Sequence, residues 1–277
     1  MTLPNEITQE LRLLLAAARG QLEVEAELGL AGVSGKVVAP TAVRPMAGAA
    51  STAPVTSAAP EAETQPAVLA SQAAAAPEAP AVTAPAGERR GQLLQLATKA
   101  AECTTCVLHQ GRSKSVFSRG SDSAELVFVG EGPGRDEDLQ GEPFVGKAGQ
   151  LLDKMIVAMG YGREEVYICN VVKCRPPENR TPRPEEALAC RKFLAPQLQL
   201  VGPKVIVALG RCAAQALGAA EATGSWRGRW SQWEGIPVLS TYHPAFLLRS
   251  PEFKRTVWED LQLVMARLGK APAPKRS

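Results

Sequence analysis

The chain has 277 residues, about twice a common domain size, with 45% apolar and 21% charged residues and a formal net charge of +3. That composition suits a globular protein, and no run approaches the ~20 apolar residues that cross a bilayer. The apolar run Leu13–Ala18 follows Glu6 and Glu10, the wrong charge for a secretion signal, so a cytoplasmic protein with no membrane association is expected. In that compartment the six cysteines read as thiols or metal ligands rather than disulfides.

Ile7, Leu11, Leu14 and Leu15 fall at helical spacing and predict an amphipathic helix over Glu6–Leu28, within an N-terminal segment 1–30. Residues 31–90 read as a disordered linker, since 18 Ala and 7 Pro fill half of positions 41–90. All 13 aromatic residues lie at or beyond Phe117, which places the packed core in a domain over 91–270, before a tail at 271–277. Residues 1–90 hold 6 basic against 9 acidic residues, and the remainder 25 against 19. A mildly basic domain behind an acidic leader is compatible with an anionic polymer as partner.

From residue 91 helical and strand patterns alternate. Gln92–Ala101 reads as a helix leading into the first cysteines, and Glu125–Val129 (ELVFV) as a short buried strand before the glycine turn Gly130–Gly134. Gly149–Met159 is helical and Val166–Val171 (VYICNV) is a second strand. Pro184–Leu200 is a helix, with Pro184 suited to its first turn and Glu185 and Glu186 near its positive end. Lys204–Leu209 (KVIVAL) is a third strand, ahead of a short helix from Arg211. Pro237–Thr241 (PVLST) is a fourth, and Glu252–Leu268 closes the domain as a helix. The alternation predicts an α/β fold with a mostly parallel sheet covered on both faces. Ligands in such folds bind beyond the C-terminal strand ends. Gly130–Gly134, Asn170–Arg175 and Tyr242–Arg249 all fall there.

Cys103-x2-Cys106, with Cys174 and Cys190 downstream around a helix start, supplies four candidate ligands. Four thiolates suit zinc or a [4Fe–4S] cluster equally on softness, and scattered free thiols are the alternative. A metal there would clip the segment before the first strand onto the loop after the second. Cys169 and Cys212 read as ordinary buried thiols.

The loop Gly130–Gly134 lacks the Lys-Ser/Thr of a P-loop and the full G-x-G-x-x-G spacing. Glu131, with Glu137 and Asp138 close behind, would repel a phosphate. An acid in a tight loop suits a water or a cationic transition state, against the plainer reading of a conformational turn. Phe144, between Gly141 and Gly146, is either a stacking face for a planar ligand or core packing. Asn170 ends a strand and offers a donor and an acceptor to a ligand edge, or closes a turn. His243-Pro, with Phe246, Leu247, Leu248 and Arg249 behind it, reads as a rigid loop bearing a wedge and a cation, the alternative being a helix-entry turn. His109 has no comparable context.

GEGPGRDEDLQGEPFVGKAGQLL (Gly130–Leu152), NVVKCRPPENRTPRPEEALAC (Asn170–Cys190) and HPAFLLR (His243–Arg249) together resemble family 4 uracil-DNA glycosylases, the iron–sulfur branch of that superfamily. The resemblance runs from about Gln92 to Leu268 and leaves the first 90 residues uncovered. It implies a three-layer α/β/α sandwich with a central parallel four-stranded sheet, and a [4Fe–4S] cluster on Cys103, Cys106, Cys174 and Cys190. It also implies hydrolysis of the N-glycosidic bond of deoxyuridine in DNA, the first step of base excision repair, leaving free uracil and an abasic site. The base must be flipped from the stack. Leu247, Leu248 or both would fill the gap while Arg249 holds phosphate.

Within the pocket that the resemblance implies, Phe144 stacks on the base, Gly132 offers its backbone and Asn170 reads the O4/N3 edge. His243 donates to the developing O2 anion as a neutral imidazole. Glu131 positions the attacking water or offsets oxocarbenium charge, with Glu137 as the second choice. The matching loop holds no Tyr to exclude the thymine methyl group.

Two other readings fit parts of the sequence. The related cross-linking branch traps its product through a histidine in an inserted basic loop, but RPPENRTP after Cys174 contains none. A non-catalytic nucleic-acid-binding module with a structural metal would leave Glu131, Asn170 and His243 merely structural. The expected partners are uracil-containing DNA, met by a monomer, and a repair or replication protein recruited by the N-terminal helix.

Overall fold

A computed structural model of the chain describes residues 86–220 and 226–270. The expected helix over Glu6–Leu28, residues 31–85 of the expected linker and the tail at 271–277 lie outside the described residues, while residues 86–90, expected in the linker, are helical. Six strands are present among them: β1 (Ser118–Gly120), β2 (Leu126–Gly130), β3 (Tyr167–Asn170), β4 (Val205–Leu209), β5 (Trp230–Trp233) and β6 (Ile236–Thr241). The helices are α1 (Ala86–Ala101), α2 (Arg135–Gln140), α3 (Lys147–Ala158), α4 (Pro184–Val201), α5 (Arg211–Ala216), α6 (Pro244–Arg249) and α7 (Lys254–Arg267).

The strands form one mixed sheet in the order β1-β3-β2-β4-β6-β5. The four inner strands run parallel, and β1 and β5 pair antiparallel at the two edges. The expected four-stranded sheet is thus widened to six. Both added strands lack a buried run: β1 has only three residues, none buried, and β5 (WSQW) buries Trp233 alone. Edge strands are half solvated, so their sequences carry little apolar signal.

Every residue of β2, β3, β4 and β6 is buried. Their side chains alternate between two cores. Val127, Val129, Cys169, Ile206 and Val238 share one core with residues of α1, α4 and α5. Leu126, Phe128, Ile168, Val207 and Leu239 share the other with residues of α3, α6 and α7. Helices therefore cover both faces, and each fully buried Leu or Phe contributes about 1.5–3 kcal/mol. No helix among the described residues is long and apolar enough to cross a membrane.

Two local elements differ from the sequence expectation. Residues 135–140, directly after the glycine turn, form α2. The segment expected as a rigid loop after His243 is the helix α6, with His243 as its N-cap and Pro244 in its first turn. Pro has φ pre-set for that position and no N–H to leave unpaired there. The register then gathers the site, since Gly130 lies opposite Asn170 and Leu209 opposite Thr241. The loops that leave these strand ends start side by side.

Candidate active site

Gly130 ends β2 where Asn170 ends β3. A Cβ at position 130 would run into Asn170 Oδ1 and come within 2.6 Å of the Phe144 ring. Only glycine lets those side chains meet over the strand end. Asn170 is 2% exposed and its Oδ1 has no hydrogen-bond partner. A buried acceptor left without a donor costs about 1–3 kcal/mol, which a ligand N–H aimed at it would recover.

Phe144 is buried, with φ 56° in the left-handed region that bulky residues avoid. Gly149 in α3 leaves room for this turn, because a Cβ there would strike the Phe144 carbonyl. The Phe144 and His243 rings stack with centroids 5.4 Å apart and planes 27° from parallel.

His243 Nδ1 accepts the Ala245 N–H of α6 at 3.1 Å. This cap leaves the ring proton to Nε2. Burial, with the nearby Arg249 charge acting in the same sense, pushes the imidazole down to about 4. The ring is therefore neutral at pH 7 and presents one N–H donor.

Glu131 follows Gly130 and is half-buried, hydrogen-bonded to the Thr181 side chain. Burial pushes its carboxyl above the usual carboxylate range, while the Thr181 bond pulls the other way. Gly132 packs tightly beside it: a Cβ there would lie 2.8 Å from Val172.

The neighbouring acids face elsewhere. Glu137 Oε1 accepts the N–H groups of Val145 and Gly146, each at 3.0 Å, and Oε2 accepts that of Gly134 at 3.1 Å. Asp138, 2% exposed, accepts the Ser113 N–H at 2.9 Å. These carboxylates close loops, and Glu137 pins the segment that carries Phe144.

On α6 the two leucines part company. Leu247 is 1% exposed within the core under the sheet, whereas Leu248 is 45% exposed and Arg249 is exposed beside it. Of the two leucines expected as a wedge, Leu247 packs in the core and Leu248 faces outward. On a helix, adjacent residues point about 100° apart, so one faces the core when the other faces solvent.

Cys103, Cys106, Cys174 and Cys190 line one pocket with Lys173, Phe193 and His109. Among the described residues no group of three Cys, His, Asp or Glu side chains is drawn together as a site for a metal ion. Arg112 donates to Cys174 Sγ at 3.1 Å and to the Cys103 carbonyl at 2.9 Å. Burial pushes the Cys190 thiol up to about 11, against the opposing charge of Lys173. The donor chemistry fits a soft, thiolate-bound group: four sulfurs, apolar neighbours and adjacent cations. His109 sits at this pocket with Nδ1 2.7 Å from the Cys106 carbonyl, a place its sequence context did not suggest. Cys169 is buried in β3, and Cys212, half-buried near Glu131, is pushed up to about 12 by burial and then by the Glu131 charge. Lys173 and Thr181 lie within the segment Asn170–Cys190 but are not singled out there, and Arg112 lies outside the motifs read from the sequence.

A family model described as the uracil DNA glycosylase superfamily matches residues 117–262. The type-4 uracil-DNA glycosylase of Thermotoga maritima is 46% identical over 62% of this chain and 93% of that protein. That of Archaeoglobus fulgidus is 45% identical over 61% and 89%, and that of Saccharolobus solfataricus 38% over 64% and 87%.

Proposed function

Because the chain belongs to the uracil-DNA glycosylase superfamily, in its type-4 branch, it is a uracil-DNA glycosylase, and we propose how its own residues release the base. The observation that carries the reading is the buried, unpartnered Asn170 Oδ1 next to Phe144, with His243 stacked on that ring. Uracil offers an N3–H to Oδ1 and an O4 to the Asn170 amide N–H. Cytosine reverses both demands and would leave two buried groups unpaired. Phe144 supplies the face against which the base rests.

Hydrolysis breaks the C1′–N1 bond, and its electron pair leaves with uracil, chiefly onto O2. The neutral His243 donates there through Nε2–H. A donor already fixed in place by the helix cap needs no reorganisation as the charge develops. Water attacks C1′ and Glu131, held by Thr181, orients it and takes its proton. The positive sugar is stabilised by the same carboxylate. The three backbone donors already on the oxygens of Glu137 favour a loop clamp there and Glu131 as this acid.

Cys103, Cys106, Cys174 and Cys190 would hold a [4Fe–4S] cluster, a choice supported by their common pocket and by the membership of the chain in the type-4 branch. When bound, that group supplies a cross-link between the segment after α1, the loop after β3 and α4. The proposal extends to a cytoplasmic monomer whose N-terminal segment recruits a repair or replication protein.

Leu248 is assigned to fill the stack that the flipped base vacates. Leu248→Ala is expected to leave the thermal midpoint nearly unchanged and to slow release from duplex more than from single strands, where there is no stack to fill. Leu247→Ala is expected to cost about 2–5 kcal/mol of stability, as a buried cavity does. Thermal unfolding and paired rate measurements separate the two. The test of the whole reading is uracil release from labelled single-stranded DNA carrying one deoxyuridine. Iron-loaded protein is expected to release it and to leave the deoxycytidine equivalent intact, and absence of release would overturn the assignment.

A further inference from the structure

Lys173 stands between the two halves of the site. It lies three residues beyond Asn170 and directly before Cys174, and it is 1% exposed. Its Nζ donates to the backbone carbonyl of Asn170 at 2.8 Å and to Gln197 Oε1 at 2.6 Å, and it lies 5.3 Å from the centre of the Phe117 ring. Gln197, fully buried in α4, is held in turn by donating to the Tyr167 hydroxyl at 2.8 Å and to the Phe117 carbonyl at 3.2 Å. On its other side, the Lys173 backbone hydrogen-bonds the Cys190 thiol, and its carbonyl accepts the Val116 N–H at 2.8 Å.

Packing alone does not account for a lysine here. Methionine fills nearly the same volume without the several kcal/mol that burying an ammonium costs. What the ammonium does is fix a carbonyl at the end of β3, on the residue whose amide carries an unpartnered oxygen. Displacing such a group by about 1 Å is enough to cost on the order of 10² in rate.

We propose that Lys173 is a positioning residue: through the Asn170 carbonyl it sets the Asn170 amide at the distance and angle that base reading requires. This rests on the reading of Asn170 given above. Gln197 and Tyr167 anchor the strut on α4 and β3, so the same network predicts a weaker effect from Gln197→Leu.

The test is a double-mutant cycle in the full chain with iron bound, read by single-turnover uracil release from single-stranded DNA with one deoxyuridine. Lys173→Met is expected to slow release by about 10–10²-fold. It should add nothing on an Asn170→Ala background and retain its full effect on a His243→Ala background. Iron content and visible absorbance should match wild type, and Gln197→Leu should repeat the pattern at smaller size and stand in if Lys173→Met does not fold. Equal slowing on the Asn170→Ala background, or release at the wild-type rate, would overturn the proposal. So would a loss of iron parallel to the loss of rate, which would assign Lys173 to the thiol pocket. Asn170→Ala releasing uracil at the wild-type rate would instead remove the base-reading assignment, and this proposal with it.

Discussion

His243→Ala is expected to slow uracil release by about 10²–10³-fold under single-turnover conditions, the usual loss for one oxyanion-type donor. The alanine also removes the acceptor of the Ala245 N–H, so some loss of stability accompanies the loss of rate. His243→Asn separates the two effects. Its side-chain oxygen can cap α6, but its amide is too short to reach where Nε2 stands. Asparagine should therefore recover the thermal midpoint and not the rate. Recovery of both would remove the imidazole from the mechanism.

The pH dependence follows from the same geometry. With the folded imidazole pushed down to about 4, His243 is already neutral throughout pH 5–8. A pH–rate profile should show no limb near 6.5 that disappears in His243→Ala. For stability the sign is the opposite of a salt-bridged histidine. Between about 4 and 6.5 the unfolded chain binds a proton at this site that the folded chain refuses. The contribution is complete above 6.5 and is lost as pH falls toward 4.

Much of this site was legible because its chemistry sits on strand ends and in short glycine-rich segments. ELVFV, VYICNV and KVIVAL are apolar runs of the kind only buried parallel strands require, and the residues that follow them converge by the rule of such sheets. The sequence suggested that the four cysteines come together, but not that His109 and Lys173 line the same pocket or that Arg112 donates to Cys174. The Arg112 contact crosses a long stretch of chain, since Arg112 and Cys174 are 62 residues apart. The two leucines of α6 were indistinguishable in sequence, since burial depends on which side of a short helix faces the sheet. Glu131 and Glu137 raised the same difficulty, as two acids in one charged run. The three backbone N–H groups on Glu137, against the single Thr181 side-chain bond on Glu131, are what separate the two.

That distinction leads to opposite outcomes for one conservative change. Glu131→Gln is expected to slow uracil release by about 10²-fold or more, because the amide cannot take the proton of the attacking water. It should not lower the thermal midpoint. Burial holds the folded Glu131 carboxyl above its unfolded range, so at neutral pH the ionised side chain opposes folding, and glutamine removes that penalty. The wild-type rate should fall as pH drops through this raised value, since the working form is the carboxylate, and the acid limb should vanish in Glu131→Gln. Glu137→Gln should behave in the reverse way. It weakens three charge-assisted bonds from Gly134, Val145 and Gly146, at a cost of roughly 1–3 kcal/mol, and loosens the segment bearing Phe144. The resulting loss of rate should appear mainly in substrate affinity, with the acid limb intact. If Glu137→Gln abolished that limb and Glu131→Gln kept it, the water would belong to Glu137 and the Thr181 contact would be structural.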